Sequence, residues 1–274
     1  MEKFTRHEAE AAALTAAVIN GIVDSDAIWC FGIRSQSGRV IGGFYRQPET
    51  SQTHLYLLVF AAATQPGSME KIEKAMAKKS AGAITATVLL YQTSKLSRVK
   101  GNHRCFLREV TDFGESLYRR TDCIIPEFVT IKLDVSAKKD YWNHCKYMAT
   151  CCLEAETAIE NPNAEPMQAV LLHQATEQIC LGLIYAFLGC RPNHYALGYL
   201  LDFCELFLPD VTDIFPRQSI EEKARFSKLE LRMESLRYRL SHPSITDIEI
   251  LRSRVHSFLA LGEKEAGKKF NEGK

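Results

Sequence analysis

The spacing of the apolar residues changes at about Tyr141, and this change constrains the fold more than any other feature of the sequence. Before it, apolar residues form continuous or alternating runs of strand length, as in residues 54–61 and 84–91. After it, they recur at spacings of three and four, the period of an amphipathic helix. The sequence therefore predicts an α+β fold, with a small mixed-sheet domain at residues 1–136 and an up-and-down helical bundle at residues 137–274.

Within the first half, helical and strand-like patterns alternate. Helical spacing is present in residues 7–21, 69–79 and 94–110. Strands are predicted at residues 28–33, 54–61, 84–91, 116–118 and 129–135. The continuous apolar run of residues 54–61 is typical of a strand that is buried on both faces.

The second half is predicted to contain helices only. Their apolar stripes cover residues 141–159, 167–188, 194–206, 226–240 and 248–258. The tail from Gly262, rich in Lys and Glu, is expected to fray. Apolar residues on more than one side of residues 181–188 predict a homodimer through this half.

The cysteines and the absence of long apolar runs indicate where in the cell the protein is located. The nine cysteines lie mostly among apolar residues and form no disulfide framework. Reduced, buried thiols are typical of a cytoplasmic protein, which is the predicted location. No apolar run has the length that a bilayer requires, so no membrane association is expected.

Charge is nearly balanced over the whole chain but not along it. The formal net charge is +1, which by itself does not indicate a nucleic-acid-binding protein. Between Glu73 and Glu109, however, there is no acidic residue, and the basic residues there mark where an anionic ligand would bind. A solvated helix face has the same composition. The candidate ligand-binding residues are Lys95, Arg98, Lys100, Arg104 and the strand residue His54.

Three short motifs in the second half resemble those of HEPN domains in order and spacing. They are Gln174-Ala175-Thr176-Glu177, Pro192-Asn193-His194-Tyr195-Ala196-Leu197 and Leu236-Arg237-Tyr238. The resemblance covers roughly residues 139–265. It implies a helical bundle that pairs as a homodimer and often accompanies a polymerase-β-like nucleotidyltransferase domain.

The first half resembles that nucleotidyltransferase partner in outline only. Trp29-Cys30-Phe31-Gly32 stands at the position of the Gly-Ser turn, and His54 and Tyr56 stand where such enzymes carry Asp-x-Asp. No Asp occurs from Ala27 to Thr111. Nucleotidyl transfer requires carboxylates to hold Mg²⁺ against a triphosphate. The resemblance therefore implies a degenerate domain with no metal, no cofactor and no transferase activity.

Three functions are consistent with these observations. The first is a non-catalytic nucleotide- or RNA-binding module joined to a dimerising HEPN bundle, which the acid-free basic stretch favours. The second is a metal-independent HEPN ribonuclease of the toxin or defence type. The third is an inert structural or partner-binding protein.

The ribonuclease alternative depends on Arg237 and His242, which have four residues between them. In this chemistry the histidine accepts a proton from a ribose 2′-hydroxyl and the arginine stabilises the charge on the phosphate. A histidine directly before Pro243 is more typical of a helix end, where it meets unpaired carbonyl groups.

Overall fold

A computed structural model describes residues 4–38, 41–42, 45–46, 50–65, 67–129, 132–161, 163–237 and 243–271. The chain divides into two compact units, Met1–Lys132 and Leu133–Lys274. The first contains a mixed β-sheet and the second is mostly helical. The predicted α+β fold class is therefore confirmed.

The first unit alternates helices and strands along the chain. Its elements are α1 (Arg6–Asn20), β1 (Ser25–Gly38), β2 (Ile41–Gly42), β3 (Tyr45–Arg46), β4 (Thr50–Ala61), α2 (Ser68–Ser80), β5 (Ile84–Gln92), a 3-10 helix (Thr93–Arg98), α3 (Gly101–Phe113) and β6 (Glu115–Arg119). The main sheet has the order β5-β4-β1-β6. Strands β4 and β5 are parallel because α2 crosses over between them, whereas β1 runs antiparallel to both β4 and β6.

The two faces of this sheet are covered differently. Leu55, Leu57 and Val59 of β4 belong to an aliphatic core shared with α1 and α2. The alternate residues of β4 point to the other face, where Tyr56 and Phe60 join a group of aromatic rings that packs against α3. Strand β4 is therefore buried on both faces, as its continuous apolar run predicted.

The second unit is built around one central helix. Its elements are α4 (Val135–Thr157), α5 (Glu165–Leu188), α6 (Leu197–Glu205), α7 (Val211–Ile214), α8 (Ile220–Leu229), a 3-10 helix (Met233–Arg237) and α9 (Ile245–Asn271). Helices α4, α6, α8 and α9 pack around α5. Leu183, Ile184 and Ala186 are buried inside this unit. Leu181, Tyr185, Phe187 and Leu188 of the same stretch are partly exposed, and the homodimer stays a prediction.

The strand predicted at residues 129–135 is wrong for its described residues, 129 and 132–135. Asp134 instead begins helix α4, because its side chain accepts a hydrogen bond from the backbone amide of Ala137. Val135 is accordingly helical, and Val129 has no regular structure. Period-two spacing was misleading here because none of the described strands lies beside the segment to cover its apolar side chains.

The single helix predicted over residues 226–240 is also wrong. Helix α8 ends at Leu229, and a separate 3-10 helix begins at Met233. The carbonyl oxygen of Leu229 lies 2.9 Å from Nδ1 of the buried His173 ring. This contact replaces the backbone hydrogen bond that the carbonyl would accept if α8 continued. A tertiary contact therefore ends the helix where the apolar stripe continues.

The tail from Gly262 does not fray within the described residues, since α9 continues to Asn271. Gly262 and Ala266 are buried, so the end of the helix packs on the unit. A Cβ atom on Gly262 would lie 2.9 Å from Cη2 of Trp142. Glycine is required there because the indole of Trp142 approaches the helix backbone so closely.

Two substitutions in α9 test this packing. We expect Gly262→Ala to destabilise the protein, because overpacking costs about 1–3 kcal/mol and exceeds the gain of about 1 kcal/mol in helix propensity. Gly267→Ala is the matched control. A Cβ atom there meets nothing within 4 Å, so it should stabilise the helix by up to about 1 kcal/mol. Urea denaturation midpoints that shift in the same direction for both variants would contradict this packing.

Candidate functional site

His54 and Tyr56 lie inside the sheet of the first unit. The Nδ1 atom of His54 lies 2.7 Å from Oγ1 of Thr85, and its Nε2 atom lies 2.9 Å from Oγ1 of Thr87. Its ring also packs edge-on against the buried ring of Tyr56 at 4.8 Å. In this arrangement His54 joins β4 to β5, and both of its ring nitrogens are engaged within the sheet.

The other candidate ligand-binding residues lie near the far end of β5. His54 is paired with Thr85, whereas the basic segment begins after Gln92, which is paired with Ala61. Seven residues of strand separate Thr85 from Gln92, or roughly 23 Å at the usual rise of a strand. The structure therefore does not bring His54 together with the four basic residues.

The four basic residues occupy the 3-10 helix and the start of α3. Lys95 and Arg98 are in the 3-10 helix, Lys100 is the N-cap residue of α3, and Arg104 is in its first turns. Lys95, Arg98 and Lys100 are exposed. Within the described part of the chain, none of these three forms an ion pair. They are accordingly open to an anion from solution.

Helix α3 continues this positive charge along one face. Lys100, Arg104 and Arg108 recur every four residues, so they form a line with about 6 Å between neighbours. We call these three residues the basic stripe. Phe106 and Val110 lie on the opposite side of the helix and are buried against the sheet. Lys100 is exposed, whereas Arg104 and Arg108 are half-buried.

A cavity of about 670 Å³ lies at the C-terminal end of α3. Its lining comes from β1, α3, β6 and the segment that follows β6: Trp29, Arg108, Thr111, Asp112, Gly114, Ser116, Arg119, Ile125, Pro126, Glu127, Phe128 and Val129. The rings of Trp29 and Phe128 are nearly buried and form an apolar floor. Most of the lining surface is polar, and these two rings supply an apolar part of it.

The charges in the cavity lining are balanced. Arg108 pairs with Asp112 at 3.1 Å across one turn of α3, and both side chains are more than a third exposed. Such a pair is weak and readily exchanged for another partner. Arg119 is exposed and forms no ion pair with any residue that the structure describes, while Glu127 adds a second carboxylate. The lining thus carries two cations and two anions.

Arg104 links the basic stripe to the wall of the cavity. Its Nη2 atom donates a hydrogen bond of 3.3 Å to the carbonyl oxygen of Glu127. The next residue, Phe128, packs its ring 6.2 Å from the ring of Phe60 in the sheet. These two contacts hold the segment after β6 against α3 and the sheet.

Gly114 makes the tight connection between α3 and β6 that closes one corner of the cavity. A Cβ atom there would lie 2.4 Å from the carbonyl oxygen of Val110 and 3.1 Å from that of Cys30. Both contacts are with backbone atoms, which cannot rotate away. Only glycine permits this approach of α3 to β1.

The carboxylate of Asp26, which belongs to none of the motifs quoted above, anchors the start of the basic segment. Oγ1 of Thr93 donates a hydrogen bond of 2.5 Å to Oδ2 of the buried Asp26, at the start of β1. Arg120 forms ion pairs with both Asp24 and Asp26. Partial burial raises the pKa of the neighbouring Cys123 thiol, and the Asp26 carboxylate raises it further. Asp26 thus holds the start of the 3-10 helix that carries Lys95 and Arg98.

Within the described ranges, no group of three or more His, Cys, Asp or Glu side chains could hold a metal ion. The nine cysteines are all free thiols. Burial raises the pKa of both Cys30 and Cys145 to about 11, so these thiols are protonated at neutral pH. No helix in the parts of the chain that the structure covers is both long enough and apolar enough to span a bilayer.

The residues proposed for RNA cleavage cannot be placed together. Arg237 is the last residue of the 3-10 helix, but its side chain and the whole of His242 lie outside the described residues. Their pairing stays a prediction. His194, another histidine of the helical half, packs edge-on against Tyr199 at 5.1 Å, and Ala196 is the N-cap residue of α6.

Several residues of this candidate site were not identified from the sequence. In the sequence, Trp29 is part only of the motif that stands at the position of the Gly-Ser turn, and Arg119 lies beyond the acidic residues that bound the basic stretch. The only local signal was the line of cations at every fourth position of α3. Phe128 and Ser116 carry no signal, because nothing in a linear pattern shows that their segments meet.

No model of a known protein family matches the chain, and no curated protein matches its sequence. The resemblances to HEPN and nucleotidyltransferase domains therefore rest on the motifs quoted above.

Proposed function

We propose that the first unit is a non-catalytic module that binds the phosphate groups of a nucleotide or an RNA. The observation that supports this most is the run of exposed cations Lys95, Arg98 and Lys100, none of which forms an ion pair within the described residues. The half-buried Arg104 and Arg108 follow them on α3. Lysine and arginine side chains that are exposed and not engaged by carboxylates are the usual contacts of a phosphate backbone.

The geometry around His54 supports binding without nucleotidyl transfer. The positions of the paired carboxylates are occupied by His54 and Tyr56, and these side chains pack within the sheet. Neither offers the hard oxygen ligands that Mg²⁺ prefers. The proposed role of the helical unit as a HEPN-like dimerisation module rests on its three motifs alone.

Binding can be measured by fluorescence anisotropy with a labelled single-stranded RNA. We expect the triple variant Lys95→Ala, Arg98→Ala, Lys100→Ala to weaken binding at least about 10-fold, since three phosphate contacts are lost. The dependence of log K on log salt should also become shallower by about 2, because each contact with a single strand contributes about 0.7.

The matched control removes the same charge from the opposite side of the sheet. Lys71, Lys74 and Lys78 are exposed on α2, which packs on the aliphatic face. Their replacement by alanine should leave both the affinity and the salt dependence nearly unchanged. Equal losses in the two triple variants would mean that binding is non-specific. The proposed function would be excluded if the unmodified protein bound neither the RNA nor a nucleoside triphosphate at tens of micromolar.

A further inference from the structure

We infer that the cavity at the end of α3 receives the terminal nucleotide of a single-stranded nucleic acid, while the phosphates next to it lie along the basic stripe. This inference rests on the proposed function, and it specifies the ligand as the end of a strand.

The dimensions of the cavity fit one nucleotide. Its volume of about 670 Å³ is within the usual range for small-molecule sites. The apolar floor of Trp29 and Phe128 provides the kind of surface on which an unpaired base packs. Thr111 and Ser116 also line the cavity. The Thr111 hydroxyl donates to the carbonyl oxygen of Arg108, so it can accept a hydrogen bond from a base or a sugar, and the Ser116 hydroxyl can donate or accept one.

The distribution of charge distinguishes a strand end from a free nucleotide. A nucleoside triphosphate would concentrate its negative charge within the cavity, where the two cations are balanced by Asp112 and Glu127. The excess positive charge lies outside, on Lys95, Arg98, Lys100 and Arg104. A ligand with its base inside and its phosphates outside therefore matches this surface, whereas a compact polyphosphate does not.

The spacing of the basic stripe fits the backbone of a single strand. Its cations are about 6 Å apart along the helix axis, close to the separation of consecutive phosphates in an extended strand. Arg108 belongs both to the stripe and to the cavity lining, so the stripe leads directly into the cavity. Arg119, on the opposite wall, can contact the first phosphate.

A comparison of linear and circular oligonucleotides tests this inference. Both would be single strands of about 8 nucleotides with the same sequence, within the site sizes typical of such proteins. The circle has the same bases and nearly the same charge but no end. We expect the linear strand to bind about 10-fold more tightly than the circle, the size of one stacked base. A comparison of RNA and DNA versions of each oligonucleotide shows whether the protein contacts the 2′-hydroxyl group.

Two variants localise the effect to the cavity. Ser116→Phe fills it from an exposed position of the edge strand β6, and Arg119→Ala removes an exposed cation. Each should reduce binding of the linear strand to the level of the circle while leaving binding of the circle unchanged. Unaltered thermal unfolding of the variants would show that they fold normally.

The outcomes separate this inference from the proposed function. If linear and circular strands bind equally, and the Lys95, Arg98, Lys100 triple variant weakens both, the inference is wrong and the proposed function stands. If a nucleoside triphosphate binds as tightly as the linear strand, the site takes a free nucleotide and the inference is again wrong. If neither strand nor nucleotide binds, the proposed function fails as well.

Discussion

Replacement of Arg252 by methionine is expected to lower the free energy of unfolding by about 3–5 kcal/mol, the cost of breaking a buried ion pair from one side. Arg252 of α9 donates two hydrogen bonds, of 2.8 Å and 2.6 Å, to the carboxylate of Glu156 in α4. The Glu156 side chain is completely buried. Without the guanidinium group, a carboxylate would remain in the interior with no countercharge. Urea denaturation at neutral pH measures the effect.

Two controls identify the cause of this loss. Arg6→Met removes an arginine whose partner, Glu10, is exposed, so stability should change by no more than about 0.5 kcal/mol. The double variant Glu156→Gln, Arg252→Met removes both charges and should recover much of the stability. If Arg252→Met alone is as stable as the unmodified protein, the ion pair does not hold α4 to α9.

The second large effect is expected for Trp142→Ala, which should destabilise the protein by about 3–5 kcal/mol. The indole of Trp142 is buried between α5 and α9, where two glycines make room for it. A Cβ atom on Gly182 would lie 2.8 Å from Cε3 of the ring, and one on Gly262 would lie 2.9 Å from Cη2. Because these glycines have no side chains that could move into the space, a cavity would remain.

Tyr147→Ala is the matched control, since Tyr147 is on the same helix but 66% exposed. Its removal should change the urea midpoint only slightly. Comparable losses for the two variants would indicate that the effect comes from the helix propensity of α4 and not from the packing of Trp142.

The local patterns of the sequence were sufficient for most elements but not for their ends. Strand β4 and helices α1 and α5 follow directly from runs of apolar residues, because burial on a strand or a helix face imposes a fixed period. The end of α8 did not follow, because the ring of His173, far away in sequence, hydrogen-bonds to the carbonyl oxygen of Leu229. The packed end of α9 was missed because a Lys- and Glu-rich tail does not reveal that Gly262 faces a tryptophan.

The candidate site, too, could be predicted from the sequence only in part. The absence of acidic residues between Glu73 and Glu109 is visible in the sequence and predicted a basic surface, since charge and exposure depend on composition. The separation of His54 from that surface depends on strand pairing, because Thr85 and Gln92 are at opposite ends of β5. The pairing of β4 with β5 cannot be predicted from the sequence of either strand alone.

The sequence by itself determined that this protein has a mixed-sheet half and a helical half, because the period of the apolar residues is a local property of each segment. It also determined that no Asp occurs from Ala27 to Thr111. Only the tertiary structure decided that Trp29, Arg119 and Phe128 line one cavity with the end of the basic stripe. Those residues come from separate segments, and their proximity depends on the sheet order, on the approach of α3 permitted by Gly114, and on the bond from Arg104 to Glu127.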